Sequence, residues 1–140
     1  MKCIINKLYF SPVKSISFNN SLNLIVQKNI GIKYDRIFSF TRNINKKESI
    51  DLEENPKKRN LHLFLTLRNS PFLNKYDFEF KDDQLSLILD NNLISSISVK
   101  NRENFDIISQ ELKSREKLIN NYTYLIYNPK FPFFDTMPNN

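Results

Sequence analysis

The sequence predicts a small, mainly β protein: an antiparallel barrel with one amphipathic helix late in the chain. Three observations point there. The 140 residues contain no alanine, so the best helix former is absent while Phe, Ile and Tyr are plentiful. Apolar residues recur with period two in short runs punctuated by Pro, Gly, Asn or Asp. A hydrophobic content of 40%, with 13% aromatic, is too high for a disordered chain and enough to bury a core. The length fits one domain, or one domain with the start of another.

Cys3 to Phe10 is an apolar run, read as a first strand, that stops at Ser11–Pro12. A turn through 12–20 leads to Ser21–Lys28, where Leu22, Leu24 and Val26 fall on one face of a second strand. Asn29–Lys33 turns the chain around Gly31, the only glycine. Tyr34–Thr41 is the third strand, with Phe38 and Phe40 on one face, and the Asp35–Arg36 pair stands at its mouth. Residues 43–60 are polar and carry the Lys57-Lys58-Arg59 run beside Glu53 and Glu54, a pattern that reads as a solvated loop.

Leu61–Leu67 alternates as a strand around His62, and Ser70–Pro71 starts a single helical turn. Tyr76, Phe78 and Phe80 alternate with charged residues, the clearest half-buried strand in the chain. Asp82–Asp83 and Asn91–Asn92 then turn the chain through Leu85–Leu89 and Leu93–Val99, giving a three-stranded meander. Between Asn101 and Lys117 the period changes. Phe105, Ile108 and Leu112 fall at helical spacing with Ile107 beside them. Tyr122–Tyr127 is a last strand.

Several function classes are excluded. Cys3 is the sole cysteine, so neither an internal disulfide nor a cysteine-based zinc site can form. One glycine cannot build a phosphate-cradling Gly-rich loop. His62, the sole histidine, has no nucleophile elbow near it and reads as a structural or surface residue. The carboxylates make no convincing acid–base pair. The chain therefore carries no catalytic apparatus or metal-ligand cluster of its own. The apolar stretch before Lys7 is too short for a signal peptide, and no run is long enough for a membrane span, so a cytoplasmic protein without a membrane partner is expected.

The net charge of +6 is uneven. Residues 1–75 hold 14 Lys/Arg against 5 Asp/Glu, and residues 76–140 hold 7 against 10. A basic half beside an acidic one favours an anion-attracting surface. Lys14 and Ser15 follow Pro12–Val13 in a turn, and Arg36 and Arg68 each sit at a strand edge. An ammonium, a hydroxyl and two guanidinium forks can together bind a phosphate or similar oxyanion. Taken singly, each reads better as a solvated surface group.

Three segments, FSPVKSISF (10–18), GIKYDRIFSFTR (31–42) and FLTLRNSPFL (64–73), resemble the N-terminal β-barrel domain of MOSC proteins, named for the molybdenum-cofactor sulfurase C-terminal domain. The family patterns are a Tyr-Pro-Val-Lys-Ser-like turn, a Gly-Leu-x-x-Asp-Arg segment entering a strand, and a Thr-x-Arg-x-x-Pro-x-Leu segment. All three occur here in order. The resemblance implies a module that precedes a MOSC domain and helps bind a pterin-based molybdenum cofactor (molybdopterin), as in amidoxime-reducing enzymes and related reductases of N-hydroxylated compounds. It places Lys14, Ser15 and Arg36 at the cofactor's pterin and phosphate, with Arg68 as a further, less direct candidate and Asp35 either holding Arg36 or standing as a bare turn carboxylate.

The sequence departs from the family at Phe10–Ser11, Ser17–Phe18 and Ser39–Phe40, and Cys3 precedes every motif, so it does not correspond to the family's metal-ligating cysteine. The resemblance thus implies a barrel module over residues 1–128 and, over 129–140, a linker or the start of a truncated MOSC domain. Catalysis would belong to that MOSC domain, which in relatives lies in the same chain, with a redox protein as a possible further partner. Two alternatives stand beside this. A small basic barrel could bind single-stranded nucleic acid, given exposed aromatics such as Tyr9, Tyr34 and Tyr76 beside a basic groove. A purely structural or interaction domain would bind neither.

Overall fold

In the computed structural model, which describes residues 3–118 and 122–135, β1 (Leu8–Phe10) pairs antiparallel with β2 (Asn19–Ser21). A tight hairpin follows, β3 (Val26–Gln27) against β4 (Gly31–Ile32). β5 (Phe38–Phe40) leads into α1 (Lys46–Glu54) and then into short 3-10 turns at Pro56–Lys58, Leu61–Leu63 and Pro71–Lys75. β6 (Tyr76–Lys81), β7 (Gln84–Leu89) and β8 (Asn92–Ser98) form the antiparallel meander. α2 (Phe105–Glu116) then carries the chain to β9 (Leu125–Tyr127), which returns to pair with β5.

The architecture is mainly β and antiparallel, as the composition predicts. The described strands nevertheless form four separate sheets and do not close into one barrel. Closure needs an unbroken, staggered ladder around the ring. Here the chain leaves the extended region at Ser15, Ser17, Tyr34 and Arg36, all with positive φ, so the early strands are only two or three residues long.

β5 has no solvent face: Phe38, Ser39 and Phe40 are each at most 1% exposed. Phe38 and Phe40 point into the main core with Val13, Leu73, Tyr76, Phe78, Leu85, Leu87, Ile108 and Leu125. Phe38 stacks on Tyr127 at 4.7 Å and meets Phe80 edge-on at 5.3 Å. On the other side of the β5–β9 pair, Ile126 joins Leu52 of α1, Phe64 and Phe133 in a second, smaller cluster. One strand pair thus separates two cores, and the second core is completed by residue 133.

The meander and late helix follow the sequence pattern closely. Tyr76, Phe78 and Phe80 are buried while their neighbours face water. Asp82 and Asp83 both take positive φ, the two-residue hairpin that matches strand twist. The second turn lies one residue earlier than expected, at Asp90–Asn91, with Leu89 paired to Asn92. Phe105, Ile108 and Leu112 are buried on α2, and Ile107 is exposed.

Three expectations are corrected. Residues 43–60 are not a plain loop, because α1 lies within them. Asn45 and Glu48 form a reciprocal capping box, each side chain taking the other's backbone N–H at 2.9 Å. Leu61–Leu67 is not a strand: Asn60 accepts from the His62 N–H at 3.1 Å and winds the chain into a 3-10 turn, leaving Phe64 a single bridge to Thr41. The apolar face expected for 21–28 is not buried, with Leu22 at 95% and Val26 at 76% exposure. The Ser21 hydroxyl bonds the backbone of Asn23 and ends β2 there.

Candidate functional site

Ser11 ties two turns together. Its backbone N–H donates to Asp35 Oδ1 at 2.8 Å, and its carbonyl accepts from the Arg36 N–H at 2.5 Å. Its hydroxyl bonds the carbonyls of Val13 and Ile16 and closes the 11–16 turn on itself. Two further backbone bonds, Lys14 N–H to Phe38 O and Phe38 N–H to Pro12 O, both 2.9 Å, dock that turn against β5. The Pro-Val-Lys-Ser turn and the Asp-Arg turn therefore form one rigid unit at the start of β5.

Gly31 serves the approach to this unit. Its φ of +102° is one that L side chains rarely adopt. An added Cβ would meet only the Phe134 ring, at an ordinary 3.7 Å, so backbone conformation and not lack of room demands glycine.

The two turn cations pair with different carboxylates, Lys14 with Asp135 and Arg36 with Asp35. Lys14 is 2% exposed, and its Nζ donates to Phe133 O at 3.1 Å and forms an ion pair with Asp135. Arg36 donates to Asp35 Oδ2 at 3.0 Å, lies over the Phe134 ring at 5.6 Å, and accepts the Phe133 N–H on its carbonyl at 2.8 Å. Asp35, 9% exposed, thus bridges Ser11 and Arg36 and is not a bare turn carboxylate. The hydrogen bond from Lys14 holds the Asp135 carboxyl below the usual carboxylate range against its partial burial, and the charges of Lys14, Arg36 and Arg68 act in the same direction.

Ser15 faces a neighbouring hollow. It lines a cavity of about 210 Å³ with Ser11, Ser17, Arg36, Asn74 and Asp77. Its backbone, like that of Arg36, is left-handed, with φ of 62° and 52° respectively. A second cavity of about 330 Å³, lined by Ile30, Phe64, Phe131, Phe133, Phe134 and Asp135, opens on the side of the Phe134 ring. The Arg36–Phe134 contact stands between the two.

Of the residues named from sequence, Lys14 pairs with Asp135, Arg36 pairs with Asp35, and Ser15 shares a cavity wall with Arg36. Lys14 and Ser15 point different ways, Lys14 inward to Asp135 and Ser15 to the smaller cavity. Arg68 is exposed. Asp135 was not among the named residues, and no local signal could have found it, since it lies 121 positions from Lys14. Residues 129–135, expected as linker or domain start, are held against the body by Lys14, Arg36 and Arg59; residues 136–140 lie outside the described ones.

Arg59 corrects the expectation that its basic run is solvated. Its guanidinium lies 4.0 Å over Phe133 and donates to the carbonyls of Leu52, Glu53, Phe131 and Pro132. Burial pulls its pKa down to about 10 despite the nearby Glu53 charge. It is a clamp between α1 and the 131–133 segment. His62 is exposed on its 3-10 turn, and Cys3 is an exposed free thiol. Tyr76 is 1% exposed with its hydroxyl bonded to Glu116, so it cannot serve as a stacking platform; Tyr9 and Tyr34 are 45% and 38% exposed.

Among the described residues no group of three or more His, Cys, Asp or Glu could hold a metal ion, and no helix is long and apolar enough to cross a membrane. The donors at the corner are ammonium, guanidinium and hydroxyl groups, which fit the phosphate end of a pterin cofactor and offer nothing to a metal. Comparison of the chain with protein-family models, with curated proteins and with solved structures gives no match.

Proposed function

We propose that this chain is an oxyanion-gripping β module of a molybdenum-cofactor protein of the MOSC type. The observation that carries the reading is the docking of the Lys14 turn and the Arg36 turn, 22 positions apart, into one hydrogen-bonded unit in which Lys14 already pairs with a carboxylate oxyanion. In this reading Lys14 and Arg36 neutralise the cofactor's terminal phosphate and Arg68 adds attraction from the rim. Asp35 keeps the Arg36 guanidinium from turning into water. When bound, the cofactor supplies two-electron redox chemistry at molybdenum, and its metal ligand belongs to the MOSC domain. The chain's own part is to bind and orient.

The test is co-expression of this chain with a MOSC domain, reading molybdenum by mass spectrometry and the pterin by fluorescence of its oxidised form in the purified pair. The expected result is retention of both, reduced at least tenfold by Lys14→Met with Arg36→Gln. A pair that assembles yet carries no pterin above background would sink the reading. A nucleic-acid surface finds less support, because one of its three candidate aromatics is buried. A salt-dependent oligonucleotide shift without cofactor retention would favour it instead.

A further inference from the structure

One face of the β1–β2 ribbon is apolar and turned to water. Strand alternation puts Tyr9 and Asn20 on one side of the pair, and Leu8, Phe10, Asn19 and Ser21 on the other. That other side is half-buried and fastened to the body. Asn19 Nδ2 donates to the Phe78 carbonyl at 2.7 Å, and Ser17 Oγ accepts from the Phe78 N–H at 2.9 Å. The Tyr9 side therefore faces away from the body. One step beyond the strand ends, the same alternation adds Lys7, Phe18 and Leu22 to it. The Phe18 ring meets Tyr9 edge-on at 6.3 Å, so the two rings form one surface.

Phe18 is 77% exposed, Leu22 95% and Tyr9 45%. The solvated face of an antiparallel pair ordinarily carries polar side chains, and a cluster of large apolar ones marks a contact surface. The charges around it select the partner. From Met1 to Tyr34 every charged side chain is a lysine; the first carboxylate is Asp35 and the first arginine Arg36. A second copy of the chain would set this cationic face against itself, and like charges brought together oppose pairing. Protein interfaces are enriched in arginine and depleted in lysine, the reverse of what stands here.

We propose that the Tyr9–Phe18–Leu22 face, with Lys7 at its edge, docks on a membrane surface rich in anionic lipid. Phe18 and Leu22 enter the boundary between headgroups and acyl chains, where the Tyr9 hydroxyl keeps its contact with water. The Lys7 ammonium, on its long stem, reaches the anionic headgroups. Such a face lies on a bilayer and spans nothing, so it needs no membrane-crossing helix. It does not rest on the oxyanion reading.

The experiment mixes the full chain with vesicles of phosphatidylcholine carrying about 30% phosphatidylserine, or of phosphatidylcholine alone, in roughly 0.15 M salt. Co-sedimentation reads the binding. The chain should partition onto the anionic vesicles and only weakly onto the neutral ones. Phe18→Ser with Leu22→Ser should lower that partition about tenfold, and Lys7→Gln about fivefold, with circular dichroism unchanged. The chain has no tryptophan, so Phe18→Trp supplies a single reporter. Its emission should shift to the blue on anionic vesicles and be quenched by lipids brominated near the headgroup. Should the double serine variant misfold, this reporter decides. No binding to anionic vesicles, equal binding to both kinds, or binding that leaves the reporter in water overturns the proposal. A blue shift that needs an added MOSC domain and no lipid overturns it too and assigns the face to a domain interface. Self-association without lipid, lost in the double serine variant, overturns it in favour of a second copy.

Discussion

Lys14→Met isolates what the buried amine contributes to stability. Methionine keeps the length and volume of the lysine stem, so packing beneath β5 is preserved. Two interactions disappear: the 3.1 Å bond to Phe133 O and the ion pair with Asp135. The stranded carbonyl costs about 1–3 kcal/mol if no other donor reaches it. The stranded carboxylate costs about 1 kcal/mol or less, because at 69% exposure it returns to water. Removing the amine also removes its own desolvation cost, so the net loss should be about 1–2 kcal/mol and not the larger figure of a fully buried broken pair.

Asp135→Asn, which leaves the buried Lys14 ammonium without its counter-charge, should cost more than Lys14→Met, whose stranded carboxylate is solvated. Urea unfolding at pH 7 compares the two, with equal slopes confirming that only stability changed. The difference between Lys14→Met and the unaltered chain should also narrow in acid. The folded-state pKa of Asp135 is lowered, so its contribution is present above the unfolded value of about 4 and is lost as pH falls through the folded value. An Asp135→Asn variant more stable than Lys14→Met, or a Lys14→Met variant more stable than the parent, would refute the account of a buried amine and a solvated carboxylate.

Three other outcomes are expected. Asn45→Ala removes the side-chain half of the capping box and should lower stability by about 1 kcal/mol, visible as a lower thermal midpoint by circular dichroism. Glu53→Ala should be costlier, about 3 kcal/mol in a denaturant titration, because the carboxylate accepts from both Arg102 guanidinium nitrogens and from the Tyr127 N–H at 2.9 Å. Burial raises the pKa of Tyr76, reinforced by the hydrogen bond to Glu116, and burial likewise raises that of Tyr127. The folded state therefore resists their ionisation, and stability should fall as pH rises above the unfolded tyrosine value of about 10. Tyrosinate absorbance at these two sites should appear together with unfolding, and early ionisation of either in the folded protein would contradict the burial.

The alternation of Tyr76, Phe78 and Phe80, and the helical spacing of Phe105, Ile108 and Leu112, settle local structure wherever one face is buried and the other solvated. Those elements are legible because period and burial agree over six or more residues. Where the elements are shorter, single side-chain hydrogen bonds decide. The Asn60 and Ser21 bonds end or rewind the chain at 61–63 and 21–23, against its apolar pattern. α1 was legible in principle from Asn45 and Glu48, but its low hydrophobicity hid it among charged residues.

The turn motifs likewise single out Lys14, Ser15, Arg36 and Arg68, because residue type and order are local properties. What gives Lys14 its partner is the return of the chain in β9 beside β5 and the burial of Phe133, which set Asp135 against Lys14 across 121 positions. No pattern in a linear sequence encodes a contact made only because two distant segments share a core. The sequence by itself determined a mainly β chain with a basic half and its cationic candidates; the tertiary structure alone decided that one of them, Lys14, is buried against a distant carboxylate.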